Sequence, residues 1–265
     1  MDKGMLQREV YRVYAIRYAT LQKHASENFI GGDPHDGPMP MDYFVWVAIS
    51  ASRTWVIDTG FNAAMARKRG REFLRCPAAS LQLLGLDAAT VADVIVTHLH
   101  YDHIGNFDLF PSARFHLQDR EMAYATGRYM GNRFFSSAFE EEEVVGMVRR
   151  VYAGRVCFHD GDVQLADNIS LHLIGGHTKG LQVVRLWTAR GWLLLASDAS
   201  HYAANMDEGR PFPIVVDIGA MVDGWSRMRT LVDDPALIIP GHDPAVMQLF
   251  PAPAPALEGI VVQLA

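Results

Sequence analysis

The sequence has few cysteines, no long hydrophobic run and no concentration of positive charge. Its two cysteines, Cys76 and Cys157, lie far apart and outside any C-x-x-C pair, so neither a disulfide framework nor a cysteine-rich metal site is predicted. We expect two buried, inert thiols in a reducing, cytoplasmic setting. No apolar run approaches the roughly 20 residues that span a bilayer, and residues 1–17 lack the apolar segment of a secretory signal. We therefore expect no membrane partner.

The charge balance argues against nucleic acids as partners. The chain carries 24 Lys and Arg residues against 30 Asp and Glu residues, a net charge of −6. No basic stripe is present, which argues against a nucleic-acid partner. We also find no basic cluster that would bind a highly charged phosphate or nucleotide. A chain of 265 residues can bury a sizeable core, and without an evident linker we predict one domain over 1–265.

Strand-like and helix-like segments alternate along both halves of the chain. Strand patterns occur near 10–18, 43–49, 54–57, 94–97, 170–174, 183–187, 192–196 and 237–239, and helical patterns near 62–73, 118–125, 139–152 and 222–232. This alternation predicts a layered α/β architecture with helices outside packed sheets. His116 and His172 alternate with apolar neighbours in strand-like runs, so we predict that both side chains face solvent.

One segment ending at His103 contains three histidines and an aspartate within six residues, directly after the apolar stretch 91–96. In this H-x-H-x-D-H pattern, His98 and His100 are two residues apart, so at the end of a strand both side chains point to the same side. Asp102 and His103 follow on a turn and can face the same point. Imidazole nitrogen and carboxylate oxygen are the ligands that borderline divalent metals such as zinc prefer. The pattern therefore predicts a metal site.

Three further candidate ligands stand where apolar strands end. They are His177 after a glycine pair, Asp198 after the run 192–197, and His242 after 237–241. A polar side chain at the end of a buried strand reaches a cleft at the sheet edge without crossing the core. A catalytic site with two ions needs more ligands than one cluster supplies. We therefore predict that these residues join the cluster at one metal centre.

The seven residues together resemble the metal ligands of the metallo-β-lactamase superfamily, and the turn 58–60 resembles its early D-x-G turn. The resemblance spans about 43–243 and implies a four-layer αβ/βα sandwich, with the metals in a cleft at one edge of two sheets. Within the superfamily, similarity is greatest to the N-acyl-homoserine lactonase group, on the strings 98–103, 197–200, 205–212 and 241–243. The resemblance also implies that Asp58 orients the ligands by hydrogen bonds and binds no metal itself.

The same resemblance implies a ligand set for two zinc ions. One ion would be held by His98, His100 and His177, the other by Asp102, His103 and His242, and Asp198 would bridge both. Two ions roughly 3.5–4 Å apart lower the pKa of a shared water, and the resulting hydroxide would attack a lactone carbonyl. Asp102 is expected to move the proton, first as general base and later as acid. Iron or manganese stays open as the native metal, because sequence does not fix metal identity.

One position departs from the lactonase pattern. Such lactonases commonly carry a Tyr three residues after the bridging Asp, where it assists the substrate carbonyl, whereas this chain has His201 there, followed by Tyr202. Either His201 or Tyr202 donates a hydrogen bond to the developing oxyanion, or the substrate differs. We expect a small lactone or ester in an apolar pocket walled by 26–41 and 129–139. The segment 26–41 is also a candidate homodimer interface.

Other functions stay open. A superfamily hydrolase that cleaves a thioester, a cyclic amide or a phosphodiester would use the same metal site, because the pocket decides the substrate. Iron-dependent redox members carry similar ligands. A binding or sensing protein without turnover is disfavoured, because such members usually lose ligands and all seven are present here. We therefore predict a metal-dependent hydrolase that opens a lactone ring.

Overall fold

The computed structural model describes residues 9–265, which form two β-sheets flanked by helices. Residues 1–8 lie outside the described residues. They belong to the predicted domain and to the segment searched for a secretory signal. The strands are β1 (Arg12–Leu21), β2 (Met41–Ile49), β3 (Thr54–Ile57), β4 (Glu72–Phe73), β5 (Asp93–Ile95), β6 (Arg114–Gln118), β7 (Val156–His159), β8 (Val163–Ala166), β9 (Ile169–Leu173), β10 (Gln182–Thr188), β11 (Gly191–Ser197), β12 (Ile238–Pro240) and β13 (Val261–Gln263). The α-helices are α1 (Ala63–Arg69), α2 (Pro77–Ser80), α3 (Tyr101–Ile104), α4 (Asp119–Ala125), α5 (Arg133–Ser136), α6 (Glu141–Tyr152), α7 (Ala203–Asp207), α8 (Ile218–Thr230) and α9 (Val246–Leu249). Within residues 9–265, no helix is both long and apolar enough to cross a membrane.

The strand order brings the predicted ligands to strand ends. The first sheet has the order β13-β1-β2-β3-β5-β6-β7, with β4 paired to β1, and the second has the order β12-β11-β10-β9-β8. In the first sheet β3, β5, β6 and β7 run parallel, and in the second β11 and β12 run parallel. Parallel neighbours end at the same edge of a sheet. Asp198 after β11 and His242 after β12 therefore leave the second sheet together.

Apolar side chains form one layer between the sheets and one outside each sheet. In β11, Leu193 and Leu195 lie between the sheets, whereas Leu194 and Ala196 pack in the layer beneath α8. On the far side, Met147 of α6 belongs to the layer outside the first sheet. The apolar run of β11 is thus a strand buried on both faces. The predicted four-layer αβ/βα sandwich is confirmed.

One predicted helix is shorter than its pattern suggested. The pattern at 62–73 contains α1, which ends where Gly70 takes a left-handed conformation (φ 64°) and lets the chain turn. The two residues of β4 then pair with β1. The apolar positions after Gly70 therefore extend a sheet and not a helix.

The prediction that His116 and His172 face solvent was wrong. His116 is only 6% exposed and His172 only 9%. Alternation along a strand exposes one set of side chains only when one face of the sheet is open, and here both faces are covered. The expectation for Cys76 and Cys157 also needs correction, because both are free thiols that are half-buried rather than fully buried.

Candidate metal centre

The seven predicted ligands meet at one edge of the sandwich, and each is at most 8% exposed. The loop after β5 carries His98 and His100, and α3 carries Asp102 and His103. The other three follow β9, β11 and β12, and they are His177, Asp198 and His242. The ligand atoms of these seven form one compact group of three histidines and one that contains both aspartates, and a third grouping joins His177 and Asp198 to His201.

Three imidazole nitrogens converge in the first group. His98 Nε2 lies 3.0 Å from His100 Nδ1, and His177 Nε2 lies 3.2 and 2.9 Å from these two atoms. Burial lowers the pKa of His98 and His100 well below the ordinary value and lowers the pKa of His177 to about 4. The neutral rings direct lone pairs to one point. Their spacing is close to the about 3.3 Å expected between nitrogen ligands of a tetrahedral zinc ion.

Asp198 lies between the first group and the second. Its Oδ1 is 3.1 Å from His242 Nε2 and 3.3 Å from His103 Nε2, and its Oδ2 is 3.3 Å from His177 Nε2. Asp102 Oδ2 lies 3.8 and 3.7 Å from the same Nε2 atoms of His103 and His242. The two oxygens of Asp198 therefore face different ligand groups.

Two buried atoms of this centre, His103 Nε2 and Asp198 Oδ1, lie 3.3 Å apart but form no hydrogen bond of acceptable geometry within residues 9–265. An unpaired buried polar group costs about 1–3 kcal/mol, and more when it is charged. A divalent cation between them would satisfy both atoms. The histidine and aspartate cluster therefore suits a divalent metal.

The outward nitrogens of three histidines are held by fixed acceptors. His177 Nδ1 donates to the carbonyl of Ile214 (2.6 Å), and His242 Nδ1 donates to the carbonyl of Asp42 (2.8 Å). His103 Nδ1 lies 2.8 Å from Asp58 Oδ2. Because carbonyl oxygens only accept, the first two rings carry their proton on Nδ1 and present the Nε2 lone pair to the centre.

Asp58 serves the cluster through hydrogen bonds. It is fully buried, and besides His103 it accepts from the backbone N–H and the hydroxyl of Thr97, both at 2.7 Å. Thr97 immediately precedes His98. Asp58 therefore fixes the start of the H-x-H segment and the orientation of His103 with one carboxylate.

Backbone strain is concentrated beside the cluster. Asp58 (φ 62°) and Ser197 (φ 45°) are the non-glycine residues with positive φ within 9–265. A Cβ on Gly241 would lie 2.7 Å from the backbone of Ser197 and 2.8 Å from Asp198 Oδ1. The ends of β11 and β12 therefore lie so close together that a residue with a Cβ at position 241 would clash.

The structure separates the two candidates for oxyanion stabilisation. His201 Nε2 donates to Asp198 Oδ2 at 3.0 Å, and its ring stacks on Phe212 with centroids 3.6 Å apart. The Tyr202 hydroxyl instead donates towards the carbonyl of Pro40 at 3.2 Å. His201 therefore lies in the ligand cluster, whereas Tyr202 forms a hydrogen bond to the segment 26–41.

A cavity of about 430 Å³ reaches the centre at His100 and His177. Phe134 and Phe135, from the predicted wall 129–139, form part of its apolar lining, and Ile214 faces them. The other predicted wall, 26–41, does not line this cavity within the described residues.

Two supporting groups were not predicted from the sequence. Glu121 is fully buried beside the ligand loops, and the carbonyl of Ile214 orients His177. A single carboxylate in an ordinary helical pattern carries no metal-binding signal, and a backbone carbonyl carries none in any sequence.

The chain belongs to the metallo-beta-lactamase superfamily, whose family model matches residues 40–242. Among curated relatives, N-acyl homoserine lactonase AttM of Azorhizobium caulinodans is 29% identical over 177 residues, and the match covers 65% of each chain. The chain thus spans just under two thirds of the length of this relative. A probable metallo-hydrolase of Mycobacterium tuberculosis is 24% identical over 227 residues, with 73% of this chain and 72% of the relative covered.

Solved structures show the same fold. An N-acyl homoserine lactone hydrolase with N-hexanoyl-L-homoserine bound at its catalytic metal centre superposes with a TM-score of 0.76 at 19% identity, covering 92% of this chain and 97% of the other. AidC, a dizinc quorum-quenching lactonase, superposes with a TM-score of 0.66 at 16% identity, covering 89% and 90%. The predicted superfamily and its likeness to lactonases are confirmed.

Proposed function

We propose that this protein is a dinuclear zinc hydrolase that opens the ring of an acyl-homoserine lactone or another small cyclic ester. The observation that carries the proposal is the pair of ligand groups with the Asp198 carboxylate between them, next to a cavity that reaches His100 and His177. The likeness to N-acyl homoserine lactonases supports the substrate class.

In this proposal each ligand group holds one ion. His98, His100 and His177 would hold the first, Asp102, His103 and His242 the second, and Asp198 would contact both. Bound there, two zinc ions supply Lewis acidity and a water acidic enough to act as the nucleophile near pH 7. Iron or manganese would fit the same nitrogen and oxygen donors.

Asp102 is the proposed proton carrier. It is the most exposed of the seven ligands, at 8%. Its carboxylate can therefore take a proton from the attacking water and later give it to the leaving alkoxide at the mouth of the cleft. Ring opening requires both transfers, and one group in this position performs them in turn.

His201 is the proposed donor to the substrate carbonyl, in place of the tyrosine found in related lactonases. Because a carboxylate only accepts and the His201 ring is neutral, its one proton lies on Nε2 and is donated to Asp198 Oδ2 in this structure; this N–H would turn to the substrate carbonyl when a bound ion takes that oxygen. Removal of one such donor typically lowers kcat by about 10²-fold or more. We expect this loss for His201→Phe in lactone hydrolysis, and a much smaller loss for Tyr202→Phe.

The test combines elemental analysis with a hydrolysis screen. We expect about two zinc ions per chain and acid release from lactones, followed with a pH indicator. Thioesters, cyclic amides and phosphodiesters complete the screen. Bound iron, or activity on one of these other classes alone, would contradict the lactonase proposal while keeping the fold and the ligand cluster.

A further inference from the structure

A larger cavity adjoins the one at the ligand cluster. The second cavity has a volume of about 800 Å³. Both cavities are lined by Tyr124, Phe135 and Val216, so they adjoin along a common wall. A ligand whose reacting end lies at His100 and His177 therefore has room to extend into the second cavity.

Positive charge lines this second cavity. Arg120, Arg128 and Lys179 border it, and none of the three forms an ion pair with a carboxylate within residues 9–265. Lys179 Nζ lies 4.3 Å from the centre of the Tyr129 ring. The only carboxylate in the lining is Asp217, whose Oδ1 accepts from the N–H of Ala220 at the start of α8. The lining thus has a net positive charge, although the chain carries −6.

We propose that the second cavity binds an anionic group at the far end of the substrate. This inference rests on the proposed lactonase function and narrows its substrate class to lactones whose side chain ends in a carboxylate or a phosphate. The first cavity, whose lining is mainly apolar but includes Arg133, would hold the intervening chain, and the three cations of the second cavity would meet the terminal charge. The sequence offered no basic cluster because Arg120 and Arg128 lie eight residues apart and Lys179 comes from a distant loop that the fold brings beside them.

A matched pair of substrates tests the proposal on the zinc-loaded protein. Hexanoyl-homoserine lactone and adipoyl-homoserine lactone have acyl chains of equal length, but only the second ends in a carboxylate. We expect a lower KM for the adipoyl compound. The triple variant Arg120→Gln, Arg128→Gln, Lys179→Gln should reduce this preference by about tenfold, since an exposed charge pair contributes a few-fold each. Added salt should also reduce the preference.

The control is Arg67→Gln, which removes from α1 one positive charge that has no ion pair among residues 9–265 and lies outside both cavities. This variant should keep the wild-type preference. A third substrate, a lactone whose acyl chain ends in phosphate, is compared with the adipoyl compound. The lower of the two KM values shows whether the cavity prefers phosphate or carboxylate. If the neutral lactone is hydrolysed and the adipoyl compound is not preferred, the anion site is wrong and the lactonase function stands. If no lactone is hydrolysed, both proposals fail.

A second, independent observation concerns Glu121 on α4. Its side chain is fully buried, and Oε1 accepts from the N–H of Leu99 at 2.9 Å. Its Oε2 accepts from the Thr178 hydroxyl at 2.7 Å and from the N–H of Gly180 at 3.0 Å. Leu99 lies between His98 and His100, and Thr178 follows His177. The Glu121 carboxylate therefore forms hydrogen bonds to both loops that carry the three-histidine group.

The close approach at Gly180 supports this arrangement. A Cβ on Gly180 would lie 2.1 Å from the backbone nitrogen of Glu121, so only glycine allows the loop to reach α4. We infer that Glu121 is a positioning residue that sets the separation of the H-x-H segment from His177, and thereby the zinc affinity of the first group.

Glu121→Gln tests this inference, because it keeps the shape but places an amide where three donors converge. We expect a zinc Kd weakened by about 10–100-fold, the range seen when groups that orient metal ligands are removed. The Kd is measured by competition with a chelator. Asp93→Asn is the matched control, because Asp93 is a buried carboxylate remote from the ligand cluster. It should lower stability and leave the Kd unchanged. A folded Glu121→Gln protein with the wild-type Kd would overturn the inference.

Discussion

Within residues 9–265, the candidate metal centre can be compared with a second histidine group, buried His116 and half-buried His159, and the two are built differently. In the candidate metal centre, one nitrogen from each of His98, His100 and His177 lies 2.9–3.2 Å from the other two. In the second group, His116 uses opposite ring nitrogens, with Nδ1 3.1 Å from His159 Nε2 and Nε2 3.2 Å from Asp93 Oδ1. The first set converges on a point, whereas the second forms a chain of hydrogen bonds. Only the first arrangement can hold an ion.

The difference follows from where the histidines lie on the strands. His116 is inside β6, paired with Ile95 and Cys157, so the sheet geometry fixes the separation from its neighbours. The ligands of the metal centre follow strand ends, where turns can bring side chains from different strands to one point. Burial and residue type are therefore poor guides to a metal site, and convergence of single ligand atoms is a better one.

The sharpest way to test this comparison is to remove one residue from each group. Asp198→Ala removes the carboxylate that lies between the two ligand groups. We expect loss of bound zinc and a fall in lactone hydrolysis beyond about 100-fold, the upper end of the effect of removing only an orienting partner. His116→Ala should keep the full zinc content. Elemental analysis of the two purified variants measures the contrast, and equal zinc in both would refute our ligand assignment.

Substitution of Asp58 should weaken zinc binding less than Asp198→Ala does, because Asp58 orients the candidate ligands through hydrogen bonds and does not itself bind the metal in our proposal. Asp58→Ala leaves the Thr97 N–H and His103 Nδ1 buried without their acceptor. We expect the zinc Kd to weaken by about 10–100-fold and the free energy of unfolding to fall by about 1–3 kcal/mol. Chelator competition and urea unfolding measure the two quantities. A loss of stability with an unchanged Kd would show that Asp58 supports the fold alone.

His116→Ala should affect stability alone. The substitution removes a buried ring that packs edge-on against Trp55 and hydrogen-bonds to Asp93. Asp93 keeps its ion pair with Arg114, so its carboxylate is not left unpaired. We expect the free energy of unfolding to fall by about 1–3 kcal/mol, measured by urea denaturation of the zinc-loaded protein. A change in zinc Kd would mean that the two histidine groups are coupled.

The same comparison explains what the sequence could and could not predict. The convergence of the seven candidate ligands was predictable because H-x-H-x-D-H is a local pattern, and because His177, Asp198 and His242 each follow an apolar strand. The burial of His116 was not predictable. Alternation of apolar and polar residues along a strand does not distinguish a sheet covered on both faces from a sheet with one exposed face. Glu121 was not predictable either, since its three partners lie on two loops that only the folded chain brings to α4.

The smallest expected effect is a pH dependence of stability in the second histidine group. Burial lowers the pKa of His116 below its ordinary value of 6.5, against the opposing effect of its hydrogen bond to the Asp93 carboxylate, while Arg114 and Arg53 favour the neutral ring. The neighbouring His159 also has a lowered pKa, because it is partly buried and lies beside His116.

Just below pH 6.5 the unfolded chain therefore binds a proton at position 116 that the folded chain does not, so the contribution of His116 to stability falls as the pH falls. The advantage of the wild type over His116→Gln in unfolding free energy should be constant above about pH 7 and shrink towards pH 5. Because both proteins contain the same metal centre, its own pH dependence cancels in the difference. Urea unfolding of both proteins across this range provides the measurement, and an advantage that grows on acidification would mean that the Asp93 carboxylate, and not burial, dominates at His116.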